Sequence, residues 1–205
     1  ILTRDLMETL DEWNSESGGA RRGKLICVLI PSSLRGPADD QLSAANVLGY
    51  AFPVRKRRDM LDSRMLLTNL GEEMSEFLKA QHGWLFVQGL QIAQKIPFLM
   101  SLSASILRYR CMSTAVLSHM GNRLNSISSR LKTVGDTIHV GNLTLVEIRC
   151  VPPLRYGTHA AVATYIFGGR LMINLRCDPA TFGVRQTRQF LDRYVARLRR
   201  SAEES

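Results

Sequence analysis

The chain has little of what catalytic and redox sites are usually built from. Its four cysteines, Cys27, Cys111, Cys150 and Cys177, stand far apart with no Cys-x-x-Cys among them. Zinc ribbons and dithiol redox centres need clustered sulfurs, so both are excluded. Free, buried thiols in a reducing compartment are the expectation, and the cytoplasm is the compartment this assigns. There is no Gly-x-Ser-x-Gly, no Gly-x-x-x-x-Gly-Lys and no Gly-x-Gly-x-x-Gly, which removes the nucleophile elbow and the phosphate-cradling loops. Aromatic residues make up 7% of the chain and do not interleave with its basic runs, so nucleic acid stacked on rings is not favoured. No internal repeat or low-complexity tract is present. The chain opens on Ile1 with no basic, apolar and small-residue series; the expectation is a fragment or a processed product without a secretory signal.

What the chain does have is positive charge: 27 Lys and Arg against 18 Asp and Glu, a formal +9. The basic residues cluster at Arg21-Arg22-Gly23-Lys24, at Arg55-Lys56-Arg57-Arg58 and from Arg185 to Arg200. Such a surface concentrates anionic partners, whether nucleic acid, acidic lipid, CoA phosphates or an acidic carrier protein, and does not choose among them. Ordinary solvated faces account for the same clusters. At 205 residues, with 45% hydrophobic and 22% charged content, one soluble globular domain over 1–205 is the expectation.

Along the chain, Leu2, Leu6, Leu10 and Trp13 recur at helical spacing between acidic residues, and Gly18-Gly19 ends that helix. Leu25 to Ile30 is a branched apolar run closed by Pro31, which reads as a strand buried on both faces. Asn46 to Val54 reads as a second strand, interrupted late by Pro53. Met60 to Gln81 is an amphipathic helix stopped at His82-Gly83, its carboxylates forming a solvated face. Trp84 to Leu107 carries Lys95 as its one formal charge, which raises a membrane question. Gln88, Gln91, Gln94 and Lys95 near its middle and the break at Pro97 favour two buried or interfacial helices instead. Ser113 to Ser118 is another apolar strand, and Thr144 to Val151 alternates as a strand. His159 to Phe167 and Arg170 to Cys177 flank Gly168-Gly169, a tight hairpin signal. Phe190, Leu191, Tyr194, Val195 and Leu198 form the stripe of a closing helix. The sum predicts an α/β two-layer sandwich: a mixed sheet of about six strands with helices mainly on one face.

This order of elements resembles the C-terminal half of the condensation-like, CoA-dependent acyltransferases, the group of wax ester synthases and nonribosomal-peptide condensation domains with a chloramphenicol acetyltransferase-like fold. Pro31-Ser32-Ser33-Leu34-Arg35 followed by Asn46 resembles the family's Pro-Val-x-Leu-Arg strand and its Asn-bearing successor. Leu2 to Trp13 resembles the helix that follows an Asn-Asp motif in wax ester synthases. Ser118 with Gly121 resembles a Ser-Asn-x-Gly strand end, with His119 in place of the Asn. The resemblance implies a lobe that lines a channel, with Arg35, Asn46 and Ser118 as substrate-binding candidates: Arg35 neutralising a phosphate or carboxylate, Ser118 donating toward a developing oxyanion. Plainer roles fit the first two as well: Arg35 pairing with Asp39 or Asp40, and Asn46 satisfying backbone groups at a strand start. The family's general base lies in a His-His-x-x-x-Asp-Gly motif. Four residues after His82, His119, His139 and His159 come Phe86, Arg123, Leu143 and Ala163, so the motif is not in this chain and no catalytic residue is assigned.

The leading reading is thus the C-terminal subdomain of an acyltransferase, moving an acyl group from a CoA or phosphopantetheine thioester to an alcohol or amine and inactive alone. No covalently bound cofactor and no metal is expected. Its expected partners are the missing N-terminal half or a second subunit, with a homodimer, an acidic carrier protein and a lipid substrate also compatible. The alternative is a non-catalytic interaction module on the same fold, docking through the Arg-rich last helix. Nucleic-acid binding by charge alone is the third reading.

Overall fold

The computed structural model describes residues 1–16, 25–36, 47–80, 82–96, 113–121, 132–134, 137–154 and 157–204. Strands β1 (Leu25–Ser33), β2 (Leu48–Ala51), β3 (Val54–Lys56), β4 (Ala115–His119), β8 (Ala160–Phe167) and β9 (Arg170–Cys177) build one sheet, and β5 (Lys132–Val134), β6 (Thr137–Val140) and β7 (Leu143–Leu145) a second. The large sheet has six strands in the order β2-β1-β4-β8-β9, with β3 also on β1. At its centre β1, β4 and β8 run parallel; β2, β3 and β9 are antiparallel flanks. The helices are α1 (Leu2–Glu16), α2 (Ser63–Lys79), α3 (Gly83–Gln94) and α4 (Val184–Glu203).

Strand alternation sorts the apolar residues onto two faces. Ile26 and Val28, Ala115 and Leu117, and Ala160 and Val162 meet Leu6, Met7 and Leu10 of α1, Leu66 and Leu70 of α2, and Phe190, Tyr194 and Leu198 of α4 in the main core. Leu29, Val116 and Ala161 point the other way, against Tyr50, Phe52 and Leu154. This is the expected mixed sheet with helices on one side. Trp13 ties the layer together, stacked on Phe182 at 5.6 Å and edge-on to Phe190 at 5.6 Å.

The prolines and glycines explain the strand boundaries. Pro31 does not end β1, contrary to expectation: the strand runs on to Ser33. Its pairing with β4 covers Val28 and Leu29, so Pro31 sits where β1 has β2 as its recorded neighbour and the missing N–H is tolerated. Pro53 does interrupt the second strand, yet Ala51 pairs with Ile30 and Val54 with Cys27 in one continuous register, held across the gap by Val28 N donating to the Pro53 carbonyl at 3.2 Å. Gly168 and Gly169 both have positive φ, 56° and 68°, which the two-residue hairpin between β8 and β9 requires.

Three other expectations need correction. The strand read from Thr144 to Val151 reaches only from Leu143 to Leu145, in the small sheet; beyond it Val146 is 81% and Val151 72% exposed, with no buried face for the alternation to serve. His82-Gly83 does not only stop a helix: α2 ends at Lys79, Asp62 caps its start by accepting from the Arg64 and Met65 N–H groups, and α3 begins at Gly83. Helix α3 is not buried: Trp84, Leu85 and Ile92 are exposed, and its contact with the sheet is an approach of backbones, since a Cβ on Gly49 would lie 2.5 Å from the Gly83 Cα. The helix read after Pro97, the stop at Gly18-Gly19 and Cys111 lie outside the described residues. Among the described residues no helix is long and apolar enough to cross a membrane. Cys27, Cys150 and Cys177 form no disulfide and are half-buried rather than fully buried.

Candidate functional site

Three parallel strands give the large sheet a polarity, and their carboxyl ends are where open α/β sheets place ligands. Ser118 is next to last in β4, half-buried, opposite Ala163 of β8. By alternation it shares the face of Val116, away from the helices. Arg35 follows the end of β1, half-buried, with its backbone N–H donating to Ser33 Oγ at 3.4 Å. Strand direction brings Arg35 and Ser118 to one end of the sheet. Asn46, the third candidate, lies outside the described residues, as do Asp39 and Asp40.

The structure adds His119 to this end. Its Nδ1 lies 2.8 Å from Thr164 Oγ1 of β8, and pairing continues past it through Met120 N to the Thr164 carbonyl at 2.9 Å and Ile166 N to the Gly121 carbonyl at 3.0 Å. Gly121 adopts φ 57°, which lets the chain turn away there. Partial burial lowers the His119 pKa from its ordinary value, which favours the neutral ring. One ring nitrogen is held by the Thr164 hydroxyl. The sequence offered the histidine as one of four; what singles it out, the β4–β8 parallel pairing across 45 residues, is not readable from local pattern. The other histidines serve different elements: His139 meets Thr144 at 3.1 Å, and His159 meets Thr181 at 3.1 Å and Asp178 at 3.6 Å near the opposite end of β8.

Three of the six arginines of the closing helix are engaged within the chain. Arg197 joins Glu8 at 2.6 Å and also Glu12, Arg193 joins Glu16 at 2.7 Å and lies over the Trp13 ring, and Arg188 pairs with Asp192 at 3.2 Å. Asp5, fully buried, accepts from Arg4 at 2.7 Å and from Ser201 at 2.8 Å, and Arg4 also donates to Ser201. Asp5, Glu8 and Glu12 of α1 are thus partners for α4. In the second basic cluster Arg55 pairs with Glu73 at 2.6 Å, Arg57 with Asp11 at 3.3 Å and Arg58 with Asp59 at 3.5 Å; Arg21 to Lys24 lie outside the described residues.

No known family's sequence profile matches the chain, and no curated protein matches it. Among solved structures it is similar to the starter condensation domain of rhizomide synthetase RzmA, with a TM-score of 0.52 and 11% sequence identity, over 98% of this chain and 42% of that one. The chain therefore spans less than half the length of that protein. At this identity the likeness shows the fold: a condensation-domain-like, chloramphenicol acetyltransferase-like subdomain.

Proposed function

We propose that this chain is the C-terminal subdomain of an acyltransferase that passes an acyl group from a CoA or phosphopantetheine thioester to an alcohol or amine, and that it is inactive alone. One observation carries the reading: nearly all of the chain superposes on less than half of a condensation domain. In this reading the carboxyl end of the parallel strands is channel wall. Arg35 meets a phosphate or carboxylate of the donor arm, Ser118 donates to the developing oxyanion, and Asn46 stays with them as a pocket candidate. Removing such a donor costs about tenfold or more in rate. The general base comes from another half, since no His-x-x-x-Asp occurs here. That half, or a second copy, has an apolar surface to cover in Trp84, Leu85 and Ile92 of α3. Wax ester synthases supply one version, with lipid substrates; a carrier-protein donor supplies the other.

The test begins with the coding region upstream of Ile1. A His-His-x-x-x-Asp-Gly motif there, acyl transfer by the joined protein, none by this chain alone, and a loss of about tenfold or more in kcat on Ser118→Ala support the reading. An upstream reading frame without the motif, or transfer by the chain alone, overturns it.

A further inference from the structure

Between the end of β3 and the first turn of α2 the chain runs along the surface, anchored at two points. Met60 and Leu66 are buried, while residues 56–59 and 61–65 are all exposed. Hydrogen bonds within the stretch fix its shape. Lys56 N donates to Asp59 Oδ2 at 2.9 Å, Leu61 N donates to the Arg58 carbonyl at 3.5 Å, and Asp62 Oδ1 accepts from Arg64 N at 3.0 Å and Met65 N at 2.9 Å. A backbone set in advance lowers the cost of docking a partner.

Two features of this stretch are turned outward. The first is apolar. Leu61 directly precedes the Asp62 cap, a position from which an apolar side chain often packs on the fourth helical residue. That residue, Leu66, is buried, yet Leu61 is 84% exposed and Met65 61%. The second is charge. Lys56, Arg57, Arg58 and Arg64 flank these two against only two acids, Asp59 and Asp62, and Asp62 is taken up by the cap. Arg57 pairs with Asp11 at 3.3 Å and Arg58 with Asp59 at 3.5 Å, both from exposed side chains. Ion pairs so open to water are weak and exchange for another anion.

Single exposed apolar residues are ordinary; Leu143, also exposed, stands in a run without Lys, Arg, Asp or Glu. Apolar tips among cations match one kind of surface, where lipid phosphates meet the bases and the tips enter the acyl boundary. A nucleic acid would use the charge and leave Leu61 and Met65 in water.

We propose that the stretch 56–65 docks on an anionic lipid surface. Leu61 and Met65 insert at the headgroup boundary, and Lys56, Arg57, Arg58 and Arg64 meet lipid phosphates. The contact is peripheral and independent of acyl transfer.

The test is co-sedimentation of the purified chain with phosphatidylcholine vesicles containing about 30% phosphatidylserine, against phosphatidylcholine alone, at about 0.1 M salt. The chain sediments with the anionic vesicles, and added salt weakens the association. Arg57→Gln with Arg58→Gln lowers the partition coefficient about tenfold or more, and Leu61→Ser with Met65→Ser about fivefold or more. Arg199→Gln on α4 and Leu143→Ser, exposed controls elsewhere, leave it unchanged. All these side chains are exposed, and an unchanged urea midpoint checks that each variant folds. No sedimentation, equal sedimentation with both vesicles, a loss in either control as large as in the patch variants, or undiminished binding without Leu61 and Met65 overturns the proposal. So does a DNA duplex bound through the same arginines by a chain that ignores vesicles.

Discussion

Between Gly83 and Gln94, helix α3 has no charged residue, yet Trp84, Leu85 and Ile92 are 41%, 61% and 61% exposed. Between Val184 and Glu203, helix α4 is studded with arginine, yet Phe190 and Tyr194 are buried to within 1% and Leu198 to within 8%. The difference lies in arrangement rather than apolarity. In α4 the buried residues recur every fourth position, so a single stripe meets the sheet, and Arg193 and Arg197 on its flank find acids of α1. In α3 Trp84, Leu85 and Ile92 share one side of the helix by their spacing, and among the described residues no element covers that side. Apolar content says how much a helix could bury; a facing surface of matching spacing decides how much it does.

The comparison breaks most visibly by truncation. Phe190→Ala costs about 3–5 kcal/mol in urea unfolding, whereas Leu85→Ala on α3 changes stability by no more than about 1 kcal/mol. Equal losses would mean that α3 is as well packed as α4. Next comes the charge clasp: Arg197→Met leaves Glu8 buried without its cation and costs about 3 kcal/mol, and Glu8→Leu in the same chain recovers part of the loss, read by a double-mutant cycle. Glycines sharpen the contrast on a smaller scale. Gly49→Ala forces a Cβ to 2.5 Å from the Gly83 Cα and costs about 1–3 kcal/mol, while Gly89→Ala, with nothing within 4 Å, gains up to about 1 kcal/mol in helix propensity. The smallest effect is on pH. Since burial lowers the folded pKa of His119 below 6.5, the unfolded chain takes up the proton first, so stability holds above pH 6.5 and falls as pH drops toward the folded value. His119→Asn flattens that slope in Tm measured from about pH 7 to pH 5.

The features legible in the sequence were those with local causes. The β8–β9 hairpin follows from Gly168-Gly169 and two alternating arms, and the α4 stripe from its spacing. The interruption at Pro53 follows from a missing N–H. The α/β class followed from the sum. Features set by distant partners were not legible. Val146, Ile148 and Cys150 alternate as strand residues do, but pairing stops at Leu145, and the Ile148 carbonyl instead accepts from the Tyr165 hydroxyl. That Arg193 and Arg197 face Glu8, Glu12 and Glu16 of α1 is likewise set by a distant partner, and nothing local to the closing helix says so. At the candidate site, Ser118 and Arg35 could be named from short motifs, and their common location needed the parallel order of β1 and β4. His119 looked like any strand-end histidine until Thr164 was found beside it.

The clasp between the first and last helices also sets a schedule. Asp5 and Ser201 are 196 positions apart, and at ribosomal speeds of about 5–20 residues per second the chain that separates them takes about 10–40 s to make. Through that interval α1 is already outside, its leucines and its Asp5 and Glu8 carboxylates shaped for a helix that does not yet exist. The sheet can assemble while it waits, but the layer over the sheet closes only when α4 arrives. The helix layer is therefore completed by α4 rather than begun by α1, and α1 stays exposed to aggregation until that partner is made.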